Sequence, residues 1–150
     1  MRAVIQRVSY GSVTVEDKKL GEINHGLVVL LGVDVNDNEE DVSWLANKIA
    51  NLRIFGDEKK LMNNSLVNVN GDLMIISQFT LFAKTKKGNR PSFINAARSP
   101  KAINYYNSLC DEIESILHKK VVRGIFGADM TLNIVNQGPV TIQIDSKNKD

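Results

Sequence analysis

Two short, unbroken apolar runs constrain this fold most: Gly26 to Val33, and Leu73-Met74-Ile75-Ile76. A strand with one wet face alternates polar and apolar residues, and neither run does. The second run is too short for a helix and reads as a buried strand, while the first reads as a central strand. The second run has a further feature. It leads straight into Ser77-Gln78-Phe79-Thr80-Leu81, so a hydroxyl, an amide and a second hydroxyl appear where a buried strand should surface. Groups at a strand end are held more rigidly than groups on a free loop. The same hydroxyls also suit local hydrogen bonds that help a strand turn, and the segment alone leaves both readings open.

A pass along the chain fills in the rest. Arg2 to Val8 alternates and reads as a strand, followed by a turn at Tyr10-Gly11 and a strand from Ser12 to Val15. A helix should start near Asp37, with Glu40 completing a capping box. Val42, Leu45, Ile49 and Leu52 share one face of it. Arg53 to Phe55, Leu66 to Val69 and Leu73 to Phe79 read as strands, and Lys84 to Ser92 as a basic, polar loop. Ser99 is placed to cap a second helix, with Pro100 at its first position. Ala102, Tyr106, Leu109, Ile113 and Ile116 form that helix's buried face. Val121 to Ile125, Met130 to Val135 and Val140 to Ile144 complete the strands, with Asn136-Gln137-Gly138-Pro139 reading as a turn between the last two. Many strands with two main helices give an α+β class.

The chain has 150 residues, which suits one domain over 1–150 with a short polar tail at 146–150. A chain of this size buries about 68–70% of its surface on folding. Hydrophobic residues make up 43% and charged residues 24%, the balance of a soluble globule. The longest apolar run is far short of a membrane span. The N-terminus is interrupted by Arg2, Gln6 and Arg7 and does not read as a secretion signal. A net charge of +2 is too small to suggest a protein that coats nucleic acid, so any RNA contact should be local.

The chain is poor in common catalytic groups. Cys110 lies in a helical pattern and reads as a core residue. His25 sits in a turn signal and His118 ends the second helix, both far in sequence from Ser77 and Thr80. A Ser-His-Asp triad and a zinc site are therefore poorly supported.

Taken together, Ser77-Gln78-Phe79-Thr80-Leu81 and Asn136-Gln137-Gly138-Pro139-Val140-Thr141 resemble the D-aminoacyl-tRNA deacylases. Met1-Arg2-Ala3-Val4-Ile5-Gln6-Arg7-Val8, Asn51-Leu52-Arg53-Ile54-Phe55, Gly88-Asn89-Arg90-Pro91-Ser92-Phe93 and Phe126-Gly127-Ala128-Asp129-Met130 fall in the family's order, so the resemblance spans roughly residues 1 to 145. It departs at Asn89, where the family often carries a second basic residue. The resemblance implies a curved, barrel-like, mostly antiparallel or mixed sheet, and a cytoplasmic homodimer with its sites near the subunit interface. The substrate it implies is the acceptor end of aminoacyl-tRNA, with no metal and no cofactor. Ser77, Gln78, Phe79 and Thr80 become the catalytic segment. Phe126 and Met130, which would otherwise be read as core, become a pocket for the terminal adenosine. Gly138-Pro139, joined by a cis bond, becomes a filter that enters the other subunit's site and rejects L-amino acids by collision. Arg7 bonds the Gly138 carbonyl region and holds the filter.

Thr80 as a nucleophile needs an activating base, and none is evident. The favoured mechanism is hydrolysis assisted by the substrate's own ribose hydroxyl, with backbone N–H groups around Gln78 and Phe79 as oxyanion donors. Glycine, lacking a side chain, should pass the filter, so Gly-tRNA(Ala) is an expected substrate. Two alternatives are a related editor with a trans Gly-Pro acting on L-Ala-tRNA, and a tRNA-end or nucleotide-binding module without turnover. Lys84, Lys86, Lys87 and Arg90 are either contacts for the acceptor stem or a solvated loop.

Overall fold

The two unbroken runs lie side by side. In the computed structural model, which describes residues 1–149, β3 (Gly26–Gly32) and β6 (Asp72–Ser77) pair in parallel from Gly26↔Asp72 to Leu31↔Ser77. The elements run β1 (Arg2–Val15), β2 (Lys18–Ile23), β3, α1 (Glu39–Asn51), β4 (Phe55–Gly56), β5 (Met62–Asn64), α2 (Leu66–Val69) and β6. A 3₁₀ turn (Phe79–Phe82), α3 (Lys101–Leu117), β7 (Val122–Arg123) and β8 (Thr131–Asp145) follow.

The sheet order is β2-β1-β3-β6-β7, and β8 lies antiparallel to β1 along nearly its whole length. At the far side β2 comes round to β7. A Cβ on Gly21 would lie 2.7 Å from a Val122 methyl. The sheet is thus a nearly closed barrel, and the runs lack alternation because both faces are covered. Leu27, Val29, Leu31, Leu73 and Ile75 pack with the core of α1 and α3. Val28, Met74 and Ile76 face the barrel interior with Val8, Val13 and Ile23. Burying each such side chain stabilises the fold by about 1.5–3 kcal/mol. Among the described residues no helix is long and apolar enough to cross a membrane.

Several boundaries differ from those read in the sequence. No turn occurs at Tyr10-Gly11, because β1 continues to Val15. Gly11 is there for close packing: a Cβ would sit 2.9 Å from a Val28 methyl. The α1 cap is Asn38, with Asp41 closing the box, not Asp37 with Glu40. Asp37 is instead buried and holds the Met1 ammonium at 2.6 Å. Leu66–Val69 is one helical turn capped by Ser65 and Asn68 rather than a strand. Pro100 occupies the α3 cap position after a cis Ser99-Pro100 bond, with no side-chain cap from Ser99. Residues 131–145 form one long strand, not two joined by a turn. The segment after it is anchored. Ser146 is buried and accepts from the Met1 ammonium, Lys147 pairs with Asp41, and the Lys149 ammonium lies 4.8 Å over the Trp44 ring.

Candidate active site

The Ser77–Thr80 segment surfaces at the C-terminal end of the parallel pair. The Gln78 N–H donates to the Leu31 carbonyl at 2.7 Å, the last rung between the two strands. The chain then tightens into the 3₁₀ turn, so the strand ends at Ser77 and does not run on to Phe79 as its sequence pattern suggested. Gly32 leaves room for this turn: a Cβ there would lie 3.0 Å from both the Gln78 carbonyl and the Phe82 ring. The Gln78 amide donates to the Thr80 hydroxyl at 2.6 Å, tying the two polar side chains together. Because the Gln78 N–H is already bonded, it is no oxyanion donor. The first N–H groups of a helical turn have no partner within it, and here those are the N–H groups of Phe79 and Thr80.

Beside this turn lies a cavity of about 290 Å³. Ser77, Gln78 and Phe79 form one wall, Phe126 to Met130 another, and Ala97 and Ala102 close it toward α3. Gly124 lets Met130 pack inward, since a Cβ there would lie 2.6 Å from its sulfur. The Phe126 ring stands 6.0 Å from Tyr106, whose hydroxyl donates to the Ile75 carbonyl at 2.7 Å. Burial pushes the Tyr106 phenol well above its usual pKa, so this donor keeps its proton. The Ala97 wall is pinned by its N–H to the Val33 carbonyl (2.8 Å) and by the Val35 N–H to the Asn95 carbonyl (3.1 Å). Asp37 anchors the same corner through its bonds to Met1 and to the Asp34 N–H (2.6 Å).

Five of the predicted site residues therefore share one cavity: Ser77, Gln78, Phe79, Phe126 and Met130. Thr80 is exposed and faces a neighbouring groove with Arg2, Trp44, Lys48 and Gln143, linked to the cavity through Gln78.

Gly138-Pro139 lies elsewhere. β8 pairs with β1 on both sides of it, at Gln6↔Thr141 and Val8↔Asn136, so Gln137 to Val140 stand opposite Arg7 alone and bulge out. The Asn136 amide clips the bulge at its base, donating to the Arg7 and Val140 carbonyls at 3.0 Å each. Gln137, Gly138 and Pro139 are exposed, and the Gly138-Pro139 bond is cis, the form the resemblance implies. Gly138 has φ +119°, a conformation that favours glycine. Arg7 lies beside the bulge but bonds elsewhere than the resemblance implies. Its guanidinium lies beside Gly138, where a Cβ would be 3.0 Å from Nη2, but Nη1 donates to the Ile54 carbonyl at 2.6 Å. Its Nε is buried without a partner.

The register sets the separation of the two motifs. Arg7 aligns with Leu27 and Leu73, while Ser77 aligns with Leu31 and Ala3. Four residues along the strands and three strand spacings across make roughly 20 Å within one chain.

Asp129 lines the cavity, whereas Cys110, His25 and His118 do not. Burial pushes the Cys110 thiol up to about 12, which makes it an inert core residue. The His25 ring packs edge-on against Phe55, and His118 adopts the left-handed conformation that ends α3. The basic residues ride on an exposed hairpin closed by the Lys84–Ser92 bonds. Sequence reasoning missed Asn136 as the bulge clip and Ala97 as a cavity wall. Gly32, a glycine inside an apolar run, was the one readable signal of close backbone approach.

The fold and cavity define an α+β protein whose small aromatic and polar pocket lies beyond the ends of parallel strands. Residues 4–145 match the family model described as D-Tyr-tRNA(Tyr) deacylase. Similar curated proteins include one named D-aminoacyl-tRNA deacylase in Cytophaga hutchinsonii, 56% identical over 99% of both chains. Another of the same name, in Flavobacterium psychrophilum, is 53% identical over the full length of both. A solved structure titled c-Myc DNA Unwinding Element Binding Protein has TM-score 0.92 at 37% identity, covering 97% of this chain and 98% of that one. A second, of a probable eukaryotic D-amino acid tRNA deacylase, has TM-score 0.82 at 18% identity, covering 95% and 97%, and shares the fold. The chain belongs to the D-Tyr-tRNA(Tyr) deacylase family.

Proposed function

We propose that this protein hydrolyses the ester of D-aminoacyl-tRNA, releasing tRNA and the free D-amino acid, and that it works as a cytoplasmic homodimer. The observation that carries the reading is the single cavity shared by Ser77–Phe79 and Phe126/Met130. An aromatic ring and a soft thioether suit the terminal adenosine. The polar wall then faces the ester on its ribose.

Water attacks the ester carbonyl, the bond to the ribose oxygen breaks, and the proton ends on that oxygen, relayed by the neighbouring ribose hydroxyl. The Phe79 and Thr80 N–H groups stabilise the oxyanion, an effect worth about 10²–10³ in rate per donor. Thr80, held by Gln78, positions the substrate and does not form an acyl-enzyme, because the Gln78 amide that bonds its hydroxyl is a donor and cannot take its proton.

The Gly138-Pro139 unit sits too far from its own cavity to screen a substrate there, which supports its action in the other subunit of a dimer. Facing the α-carbon, its backbone collides with an L side chain and leaves a D side chain free. Glycine passes, so Gly-tRNA(Ala) is also hydrolysed.

The test is deacylation of D-Tyr-tRNA, L-Tyr-tRNA and Gly-tRNA by the purified protein in EDTA. Loss of the D and glycyl esters with the L ester spared is expected. If all three esters persist while tRNA is bound, the protein is a binding module without turnover.

A further inference from the structure

A second cleft, of about 580 Å³, adjoins the cavity and shares Phe79, Ala97 and Phe126 with it. Its outer rim is Phe93, Ile94 and Arg98. The surface is unusual in what it exposes: Phe79 is 57% and Ile94 73% exposed. Phe79 and Phe93 meet edge to face with ring centres 5.0 Å apart. That pairing fixes one ring against the other and leaves an apolar platform open to solvent. The hairpin that carries Lys84, Lys86, Lys87 and Arg90 ends at Ser92, immediately before Phe93, so cations flank the platform.

We infer that this cleft is a second nucleotide subsite, which takes the base preceding the terminal adenosine of the RNA substrate. The inference rests on the deacylase reading of the adjoining cavity and adds the path of the strand leading to it. Exposed aromatic groups beside a cationic groove are how proteins hold single-stranded nucleic acid without reading its sequence. Continuity decides the direction. An adenosine seated against Phe126 has its own neighbour emerging past the shared Phe79–Phe126 edge, onto Phe93 and Ile94. The loop lysines and Arg98 then lie on the phosphate side. Asn89, uncharged between Lys87 and Arg90, leaves the flanking loop able to contribute four cations at most.

The experiment compares two minimal substrates, D-tyrosyl-adenosine and the D-tyrosyl ester of the dinucleotide cytidylyl-adenosine. Stacking one base on an aromatic platform is worth about 5- to 150-fold, so kcat/KM should rise by that factor from the first substrate to the second, in KM more than in kcat. Phe93→Ala and Ile94→Asp should abolish the rise while D-tyrosyl-adenosine is hydrolysed within about twofold of wild type. Ile94 is exposed enough that its replacement spares folding. Equal kcat/KM for both substrates in the wild-type protein overturns the subsite and leaves the deacylase reading standing. A rise that survives both substitutions also overturns it. No hydrolysis of either substrate, with full-length D-Tyr-tRNA also untouched, overturns the deacylase reading itself.

Discussion

The Ser77–Thr80 turn and the Gly138-Pro139 bulge are built in opposite ways. The turn ends a strand buried on both faces and is locked by the Gln78–Leu31 bond, the close approach of Gly32 and the neighbouring cavity walls. The bulge interrupts β8, which among the described residues pairs in the barrel sheet with β1 alone, and it is clipped by Asn136 and lies beside the Arg7 guanidinium. One lines a cavity at the end of buried strands. The other is an exposed tip, roughly 20 Å from that cavity within one chain.

The largest expected effects fall on the turn side. Asp37 and the Met1 ammonium form a fully buried pair at the corner that supports the Ala97 wall. Asp37→Ala leaves the buried ammonium without its counter-charge, bonded only to Ser146, and should cost about 3–5 kcal/mol in urea unfolding. A loss under 1 kcal/mol would mean that the corner is not rigid. Thr80→Ala should slow single-turnover hydrolysis of D-Tyr-tRNA by about 10²–10³-fold, the cost of disturbing oxyanion positioning. A drop near 10⁶-fold would instead mark Thr80 as the nucleophile.

On the bulge side, an alanine at Gly138 meets a Val140 methyl at 2.8 Å and a strained φ, so the unit must shift. Gly138→Ala should lower D-over-L selectivity by about 10²-fold, the cost of a displacement near 1 Å, with hydrolysis of the D ester little changed. A parallel fall in both rates would show that the bulge supports catalysis and not choice.

The smallest effect concerns the segment that ties the two chain ends together. Burial raises the Asp41 carboxyl, but bonds from Lys147, Ser146 and the Asn38 N–H outweigh it and hold its pKa down at about 2. A depressed carboxylate stabilises the fold fully above its unfolded value, near pH 4, and loses that contribution as pH falls toward 2. The loss is about 2 kcal/mol. Asp41→Asn should flatten stability against pH across that window.

The two regions were not equally legible. Residues Leu73 to Phe79 announced a strand buried on both faces that ends in polar groups, and the structure keeps that reading except for the final two residues, Gln78 and Phe79. The helical faces at Val42–Ile49 and Ala102–Ile113 were equally plain, because a 3.6 period survives in any context. The bulge was legible only as Gly-Pro. Its register against Arg7 depends on pairing across more than 120 residues, which no local pattern encodes. Leu66–Val69 shows the limit for short apolar runs, since four such residues suit a strand or a single helical turn until Ser65 and Asn68 cap them. Gly11 misled because a glycine needed for packing inside a strand looks the same as one needed for a turn. Asp37 was read as a helix start, for nothing local says that an acid will be buried against a distant ammonium.

The division of labour between the regions is tested most directly by mixing subunits. A fixed amount of Gly138→Ala protein is exchanged with increasing Thr80→Ala protein, and hydrolysis of D- and L-Tyr-tRNA is followed. In a mixed dimer, each intact Thr80 faces an intact Gly138-Pro139 unit from its partner. The L rate should therefore fall as mixed dimers form, while the D rate per intact Thr80 holds. An L rate that stays constant at every mixing ratio would contradict the claim, since each site would then be screened, or left unscreened, by its own chain.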